Sequence, residues 1–208
     1  MTSTADPARR THAERRELAQ QRLLEAALAI VAQRGTVRMT LAEVGKLAGY
    51  SRGLAAHRFG NKAGLVHALA GYVGERFGQQ RKKGPALEPG LPAILGTIHF
   101  YFSRRGDAWT ATRALLVMMT ESLMPPAAGL REEMAAYNRA ALAWFEQHIR
   151  IGMARGNIAP DTDPATTAVV LLGAMRGVMQ QWLVDDRIKL AAVRDRLLQI
   201  TEQVLRRP

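Results

Sequence analysis

The sequence TLAEVGKLAGYSRGLAAHRF, residues 40 to 59, contains the pattern that decides the fold. Thr40 stands just before a segment with helical apolar periodicity, and Glu43 follows it by three residues. This spacing predicts a capping box at the start of a helix. The apolar residues that share one face of this helix are Leu41, Val44 and Ala48. A short amphipathic helix is therefore expected here.

A turn and a second short helix follow. Gly49 can end the first helix, and Ser51 is placed to cap a second helix that runs to about His57 or Arg58. A capped short helix, a turn containing glycine and another short helix form the order of a helix-turn-helix. In that motif, the N-terminal side chains of the second helix enter the major groove of DNA.

Candidate base contacts lie between residues 51 and 57. Arg52 could form two parallel hydrogen bonds with a guanine, and Leu54 and Ala55 could contact thymine methyl groups. Leu54 could equally point into the core, and Arg52 could be an ordinary solvated charge. The residue types alone leave both alternatives open.

Candidate phosphate contacts lie near helix N-termini, where backbone amides and the helix dipole favour anions. Thr40, Ser51 and Lys62 each stand at or next to the start of a predicted helix. Such contacts position a protein on DNA without reading its sequence. Thr40 and Ser51 would also cap helices in any helical protein, and Lys62 could be a solvated charge.

The charge distribution favours a polyanionic partner for the N-terminal part of the chain. Residues 1 to 83 contain 15 Lys and Arg against 6 Asp and Glu, whereas residues 84 to 208 contain 14 against 12. Nearly all of the net charge of +11 therefore lies in the first 83 residues. Basic side chains that neutralise phosphates release counterions, which favours binding to nucleic acid. A merely solvated basic surface is the alternative.

We predict three segments. Residues 1 to 13 form a flexible basic arm, residues 14 to 83 a helix-turn-helix domain, and residues 84 to 208 a ligand-binding and dimerisation domain. The charge balance and the pattern both change at the segment GPALEPGLP, which places the boundary near residues 84 to 90. Four arginines near the start either reach into a minor groove or form a solvated tail, namely Arg9, Arg10, Arg15 and Arg16.

The complete pattern predicts an all-α protein of about nine helices. The first helix begins near Glu14 and ends at Gly35, and the fourth runs from about residue 63 to 81. Five helices follow residue 90. The first of these has Leu91, Leu95, Ile98 and Phe102 in phase. The second has Trp109, Thr112, Leu116, Met119 and Leu123 in phase and is expected to stop at Pro125 and Pro126. The third ends at Gly156 and has seven residues in phase, namely Leu130, Met134, Tyr137, Ala141, Trp144, His148 and Ile151.

The last two helices are expected to form a subunit interface. Residues 164 to 184 are apolar around most of the helix circumference, which predicts burial on several sides, with Asp163 as N-cap and Arg176 as the one charge. A membrane span is the competing interpretation, but threonines, glycine and glutamines within the segment disfavour it. The final helix carries Leu190, Val193, Leu197, Ile200 and Val204 in phase.

The residue inventory disfavours several functions. The chain has no cysteine, and its five histidines show no zinc-ligand spacing, so we expect no metal and no cofactor. It lacks a glycine-rich phosphate loop, a nucleophile elbow and a paired acid motif, so we expect no enzyme activity. The first residues contain no apolar stretch of signal-peptide length, so we expect a cytoplasmic protein.

Two segments resemble the TetR family of regulators, namely MTLAEVGKLAGYSRG and FGNKAGLVHAL. The resemblance extends from about Glu14 to Tyr72 and continues weakly in the helix order, the GNIAPDTDP turn and the penultimate helix. It implies a homodimer on a palindromic operator in double-stranded DNA, most often a repressor that a small ligand releases. The alternatives are an activator on the same fold and a sequence-neutral architectural DNA-binding protein.

The resemblance also implies a set of DNA contacts, at Thr40, Ser51, Arg52, Gly53, Leu54, His57 and Lys62. Gly53 would let the backbone approach DNA closely. Many family members have two aromatic residues and a histidine before the phenylalanine that ends this helix, whereas this chain has Ala56, His57 and Arg58 before Phe59. His57 and Arg58 are then candidates to donate to phosphate instead.

A ligand pocket is expected between the helices of residues 91 to 184, lined mainly by apolar and aromatic side chains. The candidates are His99, Phe102, Trp109, Met118, Met119, Tyr137, Trp144 and Met175. Each could instead be an ordinary core residue. The methionines indicate an adaptable surface, which favours a lipophilic ligand.

Overall fold

The described part of the chain consists of nine α-helices and contains no strand. The structure is a computed structural model that describes residues 11–82, 87–103, 108–124 and 129–206. The helices are α1 (His12–Arg34), α2 (Leu41–Leu47), α3 (Arg52–Phe59), α4 (Lys62–Lys82), α5 (Leu91–Phe102), α6 (Ala108–Glu121), α7 (Leu130–Ala154), α8 (Pro164–Val184) and α9 (Leu190–Leu205). The predicted all-α class is confirmed.

Helix α1 begins with a capping box that the sequence reading missed. The backbone N–H of Glu14 donates to Thr11 Oγ1 at 3.2 Å, and the N–H of Thr11 donates to Glu14 Oε2 at 2.7 Å. The helix therefore starts at His12 rather than near Glu14, and it ends as predicted at Gly35, whose φ of 78° suits glycine. Arg15 lies within α1, whereas Arg9 and Arg10 lie outside the described residues.

The first hydrophobic core joins α1 to α4 with α6 and the beginning of α7. Leu23 and Val31 of α1, Leu65 and Leu69 of α4, and Met118 of α6 are all fully buried in it. Each such side chain stabilises the fold by about 1.5–3 kcal/mol relative to exposure. The helix-turn-helix region thus shares one core with two helices from the C-terminal part of the chain.

The second core consists of α5, most of α7, α8 and α9. Its fully buried members include Ile94, Ile149 and Met179. The turn between α7 and α8 holds this core together at its end, because the N–H of Ala159 donates to the carbonyl of Leu205 at 2.9 Å. The segment between α7 and α8 is therefore hydrogen-bonded to the end of α9.

The predicted apolar face of α6 is borne out at Trp109, Thr112, Leu116 and Met119, which are buried or pack against the two cores, and was wrong at Leu123. Leu123 lies beyond the end of the helix and is 72% exposed, while the buried line includes Ala111 and Ala114, which allow α6 to pack closely against α1. Small alanines carry little weight in a hydrophobic pattern, so the sequence reading chose the larger side chains. The helix ends at Glu121, and Pro125 and Pro126, which were expected to stop it, lie outside the described residues.

Helix α7 also buries a different line in its second half. Leu130 and Met134 are buried in the first core as predicted, but Phe145 and Ile149, rather than Trp144, are buried in the second. The buried face changes along the helix because α7 passes from one core to the other. A single stripe along six turns was therefore too simple a prediction.

Helix α8 begins at Pro164 with Asp163 as N-cap, as predicted, and the Ala165 N–H donates to Asp163 Oδ1 at 3.2 Å. Within the single chain α8 is buried on one side only, since Val169 and Val170 are 56% and 62% exposed. Burial on several sides therefore stays a prediction that depends on the expected subunit interface. Among the described residues, α8 is the one helix that is long and apolar enough to cross a membrane, with a mean hydropathy of 1.2 over its best window. Its buried side packs into the second core.

Candidate functional site

Helices α2 and α3 cross closely because two glycines shape the turn between them. Gly49 has a φ of 79°, and the Tyr50 N–H donates to the Gly45 carbonyl at 2.9 Å. A Cβ on Gly45 would lie 2.6 Å from the Ser51 carbonyl oxygen, so any larger residue there would push the helices apart. The sequence reading identified Gly49 but missed Gly45, although a glycine inside a short helix is itself a signal of close packing.

The first turn of α3 is exposed to solvent. Ser51, Arg52 and Gly53 are all exposed, and Ser51 occupies the N-cap position without a side-chain capping bond. A Cβ on Gly53 would meet nothing within 4 Å, so packing within the protein does not require glycine there. These are the residues that a helix-turn-helix presents to the major groove.

In the next turn of α3, some side chains face the core and others face solvent. Ala55 is fully buried in the first core, so the predicted contact between Ala55 and a thymine methyl group was wrong. Leu54 is half-buried and packs against the same core, while the exposed side chains here are Ala56 and His57. Arg52, Gly53, Ala56 and His57 form the outward side of α3, whereas Leu54 and Ala55 lie on its inward side.

Two basic side chains near α3 have structural partners. Lys62 is exposed, and its Nζ donates to the Val37 carbonyl at 2.6 Å, which holds the turn after α1 against the start of α4. Arg58 donates to the Arg16 carbonyl at 2.8 Å and thereby ties α3 to α1. To contact a phosphate, Arg58 and Lys62 alike would have to share or leave these carbonyl partners, whereas His57 is exposed.

The surface around α3 is strongly basic. Residues 37 to 62 contain five Lys and Arg against one acidic residue, Glu43, whose carboxylate pairs with Arg34. The predicted capping box at Thr40 is half formed: Thr40 Oγ1 accepts from the Glu43 N–H at 3.2 Å, but the Glu43 side chain turns to Arg34 instead. Arg38 and Lys46 are exposed on the same stretch, and the sequence reading did not single them out.

A carboxylate from α6 fixes the turn that precedes α2. Glu121 accepts the Thr36 backbone N–H at 2.9 and 3.1 Å and the Thr36 hydroxyl at 2.6 Å. A Cβ on Gly35 would lie 2.1 Å from Glu121 Oε1, so glycine leaves room for this carboxylate. The helix-turn-helix is thereby hydrogen-bonded directly to the C-terminal part of the chain.

A cavity of about 340 Å³ lies between α4, α5, α6, α7 and α8. Aromatic side chains make up much of its wall, namely Phe77, Phe100, Tyr101, Tyr137, Trp144 and Phe145. Gly74 and Gly78 of α4 also line it, and a Cβ on Gly78 would meet no atom within 4 Å. The helix that begins at Lys62, next to α3, therefore forms part of the cavity wall.

Three of the predicted pocket residues line this cavity, namely Tyr137, Trp144 and Met175. The other five lie elsewhere. His99 is exposed, Phe102 is buried in the second core, and Trp109 packs on Trp182 with ring centroids 4.9 Å apart; Met118 and Met119 belong to the first core. Their helical faces point away from the cavity, which hydrophobic spacing does not reveal.

The cavity has one charged wall residue among the described residues, Arg176 of α8. Its guanidinium donates to Asn138 Oδ1 and lies 5.9 Å from the centre of the Tyr137 ring. Burial disfavours the charged form and lowers the pKa of Arg176 below its usual value. An arginine nevertheless stays protonated in a protein, so the cavity contains a positive charge. Within the described ranges, no cluster of three or more His, Asp or Glu side chains could hold a metal ion.

These features define a helix-turn-helix protein with a helical C-terminal part that contains a cavity. Residues 23–69 match the family model of bacterial regulatory proteins of the tetR family. No curated protein matches the chain. The resemblance to the TetR family predicted from the sequence is therefore confirmed over residues 23–69.

Solved structures have the same fold over nearly the whole chain. A Rhodococcus sp. protein described as a TetR-family transcriptional regulator is 23% identical, with a TM-score of 0.81 over 91% of this chain and 99% of that one. A Saccharomonospora viridis protein, described as a transcriptional regulator and solved with choline, is 20% identical, with a TM-score of 0.78 over 92% and 100%. SmeT, the repressor of the Stenotrophomonas maltophilia multidrug efflux pump SmeDEF, is 22% identical, with a TM-score of 0.71 over 90% of each chain.

Proposed function

We propose that this chain regulates transcription by binding a specific palindromic DNA operator as a homodimer. The observation that carries the proposal is the exposed first turn of α3, where Ser51, Arg52 and Gly53 project from a basic surface. Neither a capping bond of Ser51 nor the packing of Gly53 accounts for these residues within the protein itself. Contact with DNA gives both a role.

In this proposal, each exposed side chain has a separate task. Arg52 forms paired hydrogen bonds with a guanine, and the outer edge of Leu54 contacts a thymine methyl group. Thr40, Ser51, His57 and Lys62 contact phosphates and set the position of α3 in the groove. Gly53 lets the helix backbone approach the bases.

The dimer forms through α8 and α9. Half of the exposed large apolar side chains in the described ranges lie on these two helices, namely Val169, Val170, Val184, Ile200 and Val204. An exposed apolar surface of this kind typically marks an interface between subunits. A two-fold dimer presents two α3 helices to successive major grooves, which lie about 34–36 Å apart.

We further propose that the regulator is a repressor released by a small molecule bound in the cavity. Because Phe77 and Gly78 of α4 line the cavity, a ligand there bears on the helix that leads to α3. Glu121 provides a second connection, from α6 to the turn before α2. The choline complex of the Saccharomonospora neighbour supports a ligand role for the cavity, and SmeT supports a repressor role.

Such a coupling is reciprocal. A ligand that favours a spacing of the two α3 helices unsuited to DNA weakens DNA binding, and DNA weakens ligand binding by the same factor. The effect is limited by the difference in ligand affinity between the two states. The regulator acts in the cytoplasm, where its operator lies, and has no catalytic role in this proposal.

The test compares Arg52→Ala with Lys62→Ala and with Arg139→Ala, which removes an exposed arginine from α7, outside the helix-turn-helix. Fluorescence anisotropy measures binding to an operator fragment and to a scrambled fragment at several salt concentrations. We expect Arg52→Ala to lose about 1–3 kcal/mol on the operator alone and Lys62→Ala to weaken both fragments and reduce the salt slope by about 1. Arg139→Ala should bind as the wild type does. Equal losses on both fragments for Arg52→Ala would favour a sequence-neutral architectural protein instead.

A reporter gene placed behind the operator distinguishes repression from activation. We expect reporter expression to rise when the regulator is deleted. A fall in expression on deletion would assign the chain to the activators that share this fold.

A further inference from the structure

The wall of the cavity combines an aromatic surface with one half-buried positive charge, that of Arg176. Phe77, Phe100 and Trp144 supply flat apolar surface. Among the described residues that line the cavity, Arg176 is the one side chain that is charged at neutral pH. No aspartate or glutamate in those ranges lies within salt-bridge distance of Arg176. The guanidinium is thus half-buried and has no acidic partner within the described residues.

The surroundings of Arg176 orient the guanidinium without neutralising it. Asn138 accepts a hydrogen bond from Nη1, and the Tyr137 ring lies 5.9 Å from Cζ, so both partners are uncharged. A guanidinium has five N–H donors in a planar fork that matches a carboxylate. One donor is used by Asn138, which leaves others able to bind an anion.

Charge therefore selects among ligands that the aromatic wall would otherwise accept. Aromatic walls also bind quaternary ammonium groups, but the positive charge of Arg176 would repel such a cation within the same cavity. A carboxylate is attracted instead, and it supplies the negative charge that no described residue provides to the half-buried guanidinium. A volume of about 340 Å³ lies at the low end of the ~300–1,000 Å³ range of ligand cavities, so the ligand is small.

We infer that Arg176 binds the carboxylate of a small amphipathic acid whose apolar body lies against the aromatic wall. This inference rests on the proposed role of the cavity as the effector site and adds the chemical class of the effector. The carboxylate also places negative charge between α7, which carries Asn138, and α8. Effector binding would thereby connect these helices through one ion pair.

The experiment uses the full chain and three apolar acids of different shape, octanoate, 2-naphthoate and 4-biphenylacetate, each with its neutral amide. A 2-naphthylmethyl trimethylammonium salt serves as the cationic probe. Isothermal titration calorimetry measures each dissociation constant up to millimolar concentrations. We expect at least one acid to bind about tenfold or more tightly than its amide, because hydrogen bonds to charged groups are the stronger ones, and the cation to bind most weakly.

Two variants assign the preference to Arg176 and the binding to the cavity. Arg176→Met keeps the side-chain volume and should remove the preference for the acid over the amide, while Arg176→Lys should retain part of it. Gly78→Leu places a large side chain at a position that lines the cavity and where a Cβ would meet no atom within 4 Å, and it should abolish binding of acid and amide alike. Thermal unfolding verifies that each variant is folded. If Arg176→Met does not fold, the comparison of Arg176→Lys with the wild type still tests the role of Arg176.

The outcomes separate this inference from the proposed function. Equal binding of acid and amide, a preference that survives in Arg176→Met, or no binding of any acid would overturn the role of Arg176. Binding of an acid that depends on Arg176 but leaves operator affinity unchanged would support the inference and contradict ligand-controlled release. Tightest binding of the quaternary ammonium would reverse the assignment of ligand charge.

Discussion

Replacing Gly53 by alanine is expected to stabilise the protein and to weaken its binding to DNA. The new Cβ would meet no protein atom within 4 Å, so it adds no strain to the fold. Glycine costs a helix up to about 1 kcal/mol relative to alanine, and a gain of that size raises the Tm of a chain of this length by roughly 2–4 °C. Bound DNA would occupy the space into which the methyl group projects. A forced contact of this kind costs about 1–3 kcal/mol, equivalent to a loss of roughly 5- to 150-fold in operator affinity.

Gly71→Ala is the matched control. Gly71 is also exposed and helical, and a Cβ there would likewise meet nothing within 4 Å, but it lies in α4 rather than at the start of α3. Both variants should therefore gain thermal stability, and only Gly53→Ala should lose operator affinity, as measured by thermal unfolding and fluorescence anisotropy. Equal operator affinity of the two variants would refute the close approach of α3 to DNA.

Three further changes test other parts of the molecule. Gly45→Ala should lower Tm by roughly 2–12 °C, because its Cβ would lie 2.6 Å from the Ser51 carbonyl oxygen and overpacking costs about 1–3 kcal/mol; a Tm equal to that of the wild type would contradict the tight crossing of α2 and α3. Glu121→Gln should lower the free energy of unfolding in urea by about 1.5–3 kcal/mol, since it removes the charged acceptor of two Thr36 donors; an unchanged urea midpoint would show that this contact contributes nothing. Val170→Asp should produce a folded monomer in sedimentation at micromolar concentration, and a persistent dimer would place the interface elsewhere.

The helices that could be predicted from sequence are those with strong local end signals. Gly35, Gly49 and the Asp163–Pro164 pair mark helix ends through backbone conformation and capping, which depend on neighbouring residues only. The helix-turn-helix was predictable for the same reason. The Glu43 side chain shows the limit, because its actual partner, Arg34, belongs to another helix.

The side-chain environments were less predictable because they depend on how distant helices pack. Ala55 and Leu54 are adjacent in sequence, yet the first is fully buried and the second half-buried. Of the predicted pocket residues, His99 is exposed on α5, while its neighbours Phe100 and Tyr101 line the cavity. The role of Gly45 likewise arises from contact with the Ser51 carbonyl oxygen and not from its own segment.

Arg176 illustrates a signal that the sequence contained but did not explain. It is the one charge in a long apolar helix, and a charge that packing removes in part from water is stabilised by a partner. The structure shows that Arg176 lines an aromatic cavity. The walls of this cavity include α4, which begins next to the helix-turn-helix, and α8, which also has an exposed apolar face. Its position relative to other helices, rather than its residue type, points to a ligand role.

The most direct test of the account is selection of bound fragments from sheared DNA of the source genome, at near-physiological salt, followed by sequencing. The account predicts enrichment of a short palindrome whose half-sites lie one helical turn apart, about 10 base pairs from centre to centre, or a multiple of that distance. Arg52→Ala should lose this enrichment. Uniform recovery of all fragments by the wild-type protein would contradict sequence-specific regulation.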